Sequence, residues 1–331
     1  MNYTVNGIQQ IGIGVTNAKE VFNWYKNHFG FDILVFEDTS EAALMTQYTA
    51  DQVMSRYALL AMNMKGGGGL EIWQFKDRTP KPQITDFKLG DLGINMMKLR
   101  NTDIILPSSC LKDPWGNWIQ SVQDNYTFCN YKDRNGGVMG AVIGVSNMEK
   151  SLLFYQGLFG LDKIKSDETG VFDDFKNIPG GTSKYRRVLI SRNTSTVGGF
   201  GKLLGPFELE LIQVIDRTPS KIYEDRIWGD LGYIHLCFDV AGMDALKKAS
   251  QSIGHPFTVD SANSFDMGEA SGRFGYVEDP DGTLIELVET HKVPILKKLG
   301  IYINLKNRNP KKPLPNWVVK AMQVHRKRKD F

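Results

Sequence analysis

In the stretch QIGIGV, residues 10–15, the apolar Ile11, Ile13 and Val15 alternate with Gln10, Gly12 and Gly14. A period of two predicts a strand with one apolar face and one face holding a single polar group beside two glycines. Just beyond it Asn17 precedes Val21, Phe22, Tyr25 and Phe29, which fall at helical spacing, so Asn17 is a candidate helix cap. The same alternation returns in IHLCFD (234–239), where His235, Cys237 and Asp239 share a face. It returns in LEIWQF (70–75), where Glu71 lies with Trp73 and Phe75, and in LIELVE (284–289), where Glu286 lies with Leu284 and Val288. Each of these strands carries one polar or ionisable group among apolar neighbours. Burying an ionised carboxylate is costly unless it is paired, hydrogen-bonded or bound to a metal, so each glutamate calls for a partner.

The elements repeat. NGIQQIGIGVTNAKEVFNWYKNHFGFDI (6–33) matches GGVMGAVIGVSNMEKSLLFYQGLFGLDKI (136–164). LEIWQFKDRTP (70–80) matches LELIQVIDRTP (209–219), GDLGINMMKLR (90–100) matches GDLGYIHLCFD (229–239), and DPWGNWIQSV (113–122) matches DPDGTLIELV (279–288). Matched segments in one order indicate a duplication. Each half divides again into strand–helix–strands units, giving four. The second is shortened, because NTDIILPSSCLK (101–112) is too brief for a helix and two strands. The expected organisation is an N-terminal half at 6–125, a C-terminal half at 136–290 and an extension at 291–331. DRTP (77–80 and 216–219) reads as a structural turn with Arg–Asp pairing. The run GGGG (66–69) reads as a flexible hairpin or loop, since no helix follows to make a phosphate cradle.

Composition adds little. The chain has 331 residues, a net charge of +3 and three cysteines without paired spacing. This excludes a disulfide framework and favours a reducing compartment, so the cytoplasm is the expected location. The start of the chain lacks the pattern of a secretory signal, and no apolar run is long enough to span a bilayer. The expected partner is a small-molecule substrate, with neither nucleic acid nor membrane, in a monomer or homodimer.

The motifs IQQIGIGV, FYQGLFGL, YIHLCFDV and DPDGTLIEL resemble the glyoxalase I, bleomycin-resistance and extradiol-dioxygenase superfamily, over residues 6–290. The resemblance implies an α+β fold of four βαβββ modules, the second truncated, forming two cupped mixed sheets flanked by helices. In that superfamily two modules enclose a metal, with ligands from the first and last strands of each. The corresponding positions here are Gln10 and Glu71, then Met96 and Gln120, then Gly140 and Glu210, then His235 and Glu286.

Fused glyoxalases of this kind pair the outer modules and the inner modules. The resemblance then implies a site of Gln10, Glu71, His235 and Glu286 and a ruined inner site of Met96, Gln120, Gly140 and Glu210. Pairing modules three and four would instead give Glu210, His235 and Glu286. Taken singly, a buried His or a strand Glu is more often a hydrogen-bonded core residue or a solvent-facing edge residue. Four at matched positions point to a divalent ion, one of Zn, Ni, Co, Mn or Fe, held by oxygen and imidazole ligands. The implied activity is that of a metal-dependent lyase or isomerase, with Glu286 as base and Glu71 as second proton carrier.

Where glyoxalase I holds the carboxylates of glutathione, this chain has Gly14, Phe75 and Leu231. A standard glutathione hemithioacetal is therefore not the expected substrate, and Trp73, Phe75 and Phe274 suggest an apolar pocket. Two alternatives stay open: an Fe(II) dioxygenase, and a non-catalytic protein that sequesters a ligand in the cup. The extension is rich in Lys and Arg. It is expected to be a strap on the body, with a lid, an anion patch or a nucleic acid contact as the functional alternatives.

Overall fold

The computed structural model describes residues 2–83, 86–103, 108–194, 197–262, 265–267, 270–296, 301–306 and 308–331. Module one holds β1 (Thr4–Gly14), α1 (Ala18–Phe29), β2 (Ile33–Glu41), β3 (Ser55–Met62) and β4 (Gly69–Phe75). Module two holds β5 (Gly93–Asn101), β6 (Ser108–Lys112) and β7 (Trp118–Gln123). Module three holds β8 (Asn135–Gly144), α2 (Met148–Phe159), β9 (Lys163–Gly170), β10 (Tyr185–Ser191), the short α3 (Gly201–Leu204) and β11 (Glu208–Val214). Module four holds β12 (Gly232–Ala241), α4 (Met243–Ser252), β13 (Val259–Asp260), β14 (Phe265–Met267), β15 (Ala270–Glu278) and β16 (Leu284–Leu296). The extension adds β17 (Ile301–Asn304) and α5 (Asn316–Lys320).

The two helices predicted from the repeat begin and end alike. Asn17 and Asn147 accept from the amides of Glu20 and Lys150, and Gly30 and Gly160 close them in the left-handed conformation. Both helices press apolar faces onto strands whose alternate residues are fully buried, among them Ile11 and Ile13 of β1 and Ala141 and Ile143 of β8.

β1 pairs antiparallel with β12, and β5 pairs antiparallel with β8. The first sheet therefore runs β13-β15-β16-β12-β1-β4-β3-β2, from modules four and one. The second runs β6-β7-β5-β8-β11-β10-β9, from modules two and three. Both are mixed, with parallel β1–β4, β12–β16, β5–β7 and β8–β11 pairs. Outer modules join outer and inner join inner, so the grouping of Glu210 with His235 and Glu286 does not arise.

One expectation is refined and another needs correction. The glycine run lies in the connection of the β3–β4 hairpin, as expected, but it is packed against the second sheet. Gly66, Gly67 and Gly68 are buried against Gly137 and Val138, with amides of Gly137 and Val138 bonded to the carbonyls of Gly66 and Gly68. A Cβ on Gly67 would lie 2.5 Å from the Gly137 carbonyl carbon, so only glycine permits this crossing between the sheets. The arginines of the DRTP motifs do not pair with their own aspartates. Arg78 binds Asp230 at 2.9 Å and Arg217 binds Asp91 at 2.7 Å, so each DRTP clasps the GDLG of the module it faces. Asp77 and Asp216 instead accept from the amides of Ser55 and Lys184.

Among the described residues, module two has no helix between β5 and β6. Beside α1 lies a cavity of about 560 Å³ lined by Trp24, His28, Asn101, Leu111 and Arg134. None of the four candidate ligands lines it.

Candidate metal centre

Strand register assembles the site. Gly12 of β1 stands opposite His235 of β12 on one side and Glu71 of β4 on the other. Glu286 of β16 stands opposite Cys237, two residues along from His235. Because alternate residues share a face, Gln10, Glu71, His235 and Glu286 all project into the concave side of the first sheet. A Cβ on Gly12 would come within 2.5 Å of the His235 ring, so the glycine makes room for the imidazole. Behind the sheet, Ile285, Leu287 and Leu236 are fully buried in the main core and hold this register.

The four side chains converge. His235 Nε2 lies 3.2 Å from Glu71 Oε2 and 3.2 Å from Glu286 Oε2. Gln10 Nε2 donates to the same two oxygens at 3.2 and 3.3 Å. Ligand atoms of Glu71, His235 and Glu286 all fall within 4.8 Å of one another. His235 is completely buried, and neither contact of its Nε2 has hydrogen-bond geometry. A buried ring nitrogen without a hydrogen bond, aimed between two carboxylate oxygens, fits a divalent ion well. The Gln10 amide turned over would present Oε1 to the same point.

Tyr276 of β15 completes the arrangement. Its hydroxyl donates to Glu286 Oε1 at 3.1 Å and lies 3.3 Å from His235 Nδ1. With its one proton given to Glu286, the phenol oxygen accepts from Nδ1–H. That selects the tautomer whose Nε2 lone pair faces the centre. Sequence reasoning missed Tyr276, although its place directly opposite Glu286 follows from the β15–β16 hairpin. Without a metal, burial lowers the pKa of His235, but the two glutamates outweigh it and push it up to about 10. Burial raises Glu286, and His235 more than offsets that, holding it below the usual carboxylate range. A metal ion would take the place of the imidazolium proton.

The cup above these groups is aromatic. Trp73 packs edge-on against Phe75 and Trp228, with ring centroids 4.7 and 4.6 Å apart, and Trp228 reaches Tyr276. Phe274 is partly buried against this cluster. Phe75 is buried where a glutathione-binding side chain would be needed, and the nearby Arg78 is committed to Asp230.

The second sheet repeats this geometry with different contents. Gly140 and Glu210 of module three and Met96 and Gln120 of module two occupy the four equivalent register positions. Lys98, equivalent to Cys237, fills the centre. Its Nζ lies 2.7 Å from Glu208 and 2.8 Å from Glu210, and Arg187 also binds Glu210. A Cβ on Gly140 would meet the Lys98 stem at 3.3 Å. Burial disfavours the ammonium, but Glu210 and Glu208 outweigh it and raise the Lys98 pKa. The inner cup therefore carries its own fixed cation in place of a metal. Lys98 was missed in sequence, though a lysine inside the buried run INMMKLR was a signal.

No family model matches the chain, and no curated protein does. Solved structures do. A glyoxalase I variant from Zea mays is 14% identical, covers 87% of this chain and 92% of its own, and superposes with a TM-score of 0.52. A second Zea mays glyoxalase I variant is 13% identical, covers 87% and 94%, and gives 0.51. A candidate dioxygenase from Bacillus subtilis is 13% identical, covers 86% of each chain and gives 0.54. Identities this low establish the glyoxalase-like fold and leave the reaction to the site.

Proposed function

We propose that this chain is a metal-dependent lyase or isomerase of the glyoxalase kind, acting on a small apolar substrate with two adjacent oxygens. The observation that carries this reading is the non-hydrogen-bonded Nε2 of buried His235 between the carboxylates of Glu71 and Glu286. Gln10, Glu71, His235 and Glu286 would hold the ion. When bound, a divalent ion supplies Lewis acidity for negative charge developing on the substrate oxygens.

The chain's own residues do the rest. Glu286 is the base that takes a proton from carbon, and Tyr276 holds its other oxygen in place. Glu71, across the centre, would carry that same proton from Glu286 to the neighbouring carbon, so both carboxylates end the turnover as they began it. Trp73, Phe75 and Trp228 exclude water, which strengthens these charge interactions. Phe75 in place of a side chain that could bind a carboxylate, with Arg78 committed to Asp230 and Arg56, opposite Phe75, paired with Asp38, supports an uncharged substrate rather than a glutathione adduct.

The test is incubation of metal-loaded protein in D2O with uncharged hemithioacetals and α-hydroxycarbonyl compounds. Deuterium should enter the carbon next to the carbonyl, and Glu286→Gln should abolish this. Oxygen consumption without such exchange would replace this reading with the dioxygenase one.

A further inference from the structure

The charge of this chain is divided unevenly. Residues 306–331 hold nine Lys and Arg against one acid, Asp330, a net of +8, so the remaining 305 residues carry +3 − 8 = −5. The basic segment is not a loose tail. Leu314, Val318 and Val319 are buried in a cluster with Ile33, Met64, Leu203 and Leu204. Arg326 bridges to Ile33, the Lys327 amide donates to Asp32, Lys26 binds Asp330, and Phe331 packs edge-on against Phe22. The strap is therefore docked, and what it presents outward is held in place.

It presents cations and large apolar side chains together. Trp317 is 66% exposed and Val324 80% exposed, the two most exposed large hydrophobics of the strap. They sit seven positions apart across α5 and the helical turn after it, which places them on one side, opposite the buried Val318 and Val319. Lys320 lies between them in sequence and is also exposed. Lys311, Lys312, Lys320, Arg328 and Lys329 are exposed and have no acidic partner among the described residues.

We propose that the strap is a docking surface for an anionic phospholipid bilayer. A Trp and an aliphatic side chain flanked by unpaired cations match the interface of such a membrane, where indole rings settle at the headgroups and cations meet lipid phosphates. The acidic body turns the strap toward the negative surface. Nucleic acid would satisfy the cations but leave Val324 without a role. This departs from the absence of membrane contact expected from composition. The contact is peripheral, since no helix among the described residues is long and apolar enough to cross a bilayer.

The test is co-sedimentation of the full chain with vesicles of phosphatidylcholine alone and with about 30% phosphatidylserine, alongside a fluorescent single-stranded oligonucleotide. The docking surface predicts binding to the anionic vesicles at least about tenfold tighter than to the neutral ones. Trp317→Ser with Val324→Ser should weaken vesicle binding about tenfold, since both side chains are exposed and their removal leaves the fold intact. Lys311→Glu with Lys312→Glu should weaken it as well. No binding to anionic vesicles would overturn the proposal. So would oligonucleotide binding of equal strength together with vesicle binding that the Trp317 and Val324 pair leaves unchanged, which would mark a general polyanion surface.

Discussion

The phenol oxygen of Tyr276 lies 3.3 Å from Nδ1 of His235, while the other ring nitrogen, Nε2, faces the two candidate carboxylate ligands. It also donates to Glu286 at 3.1 Å, so one hydroxyl orients two of the four groups at the centre. Removing an orienting partner of this kind costs about 10- to 100-fold in metal affinity. Tyr276→Phe should therefore bind metal about 10- to 100-fold more weakly while keeping the fold, as read by competition with a chelator and by circular dichroism. Unchanged affinity would remove Tyr276 from the site.

Lys98 makes a separate prediction. Its ammonium holds Glu208 and Glu210 in an interior where each is almost wholly buried. Lys98→Met should destabilise the protein by about 3–5 kcal/mol in denaturant unfolding, because two buried carboxylates lose their shared partner. Arg187 and Lys165 remain on these glutamates, so the low end is expected. The metal content of folded Lys98→Met should match wild type, since the two cups lie in different sheets.

Asp239 gives a pH dependence. It is buried, accepts from Asn6 at 2.9 Å, and burial raises its pKa from 3.8 to about 7 despite that bond. The folded state then holds a proton that the unfolded chain has lost between pH 3.8 and about 7. Stability must fall as pH rises through that window. Asp239→Asn keeps an acceptor for Asn6 and removes the titration. It should stabilise the protein at pH 8 by up to about 4 kcal/mol and have little effect near pH 3.5. An equal effect at both pH values would contradict this account.

Much of this fold was legible in the sequence, because a duplication repeats its caps, strands and turns in a fixed order. Asn17 and Asn147, or LEIWQF and LELIQV, identify each other without any contact being known. The face of each strand was legible too, since a period of two puts Glu286 with Leu284 and Val288 whatever the strand packs against. What lies between modules was not. The clasp of Arg78 on Asp230 joins residues 152 positions apart, and nothing local marks it. The glycine crossing at Gly67 and Gly137 looks like a loop until the second backbone is seen. Lys98 carried a local signal, but its partner strand and the ammonium's place in the inner cup depend on the pairing of β5 with β8.

The central claim is that Glu286 is buried because it is a metal ligand. The most direct measurement is metal per chain by plasma mass spectrometry, on wild type and Glu286→Ala reconstituted with Zn, Ni, Co, Mn and Fe in turn. The account predicts about one equivalent of at least one of these ions in wild type, lost in the variant while the fold is kept. No metal in wild type under any of these conditions, or the same equivalent retained in Glu286→Ala, would contradict it.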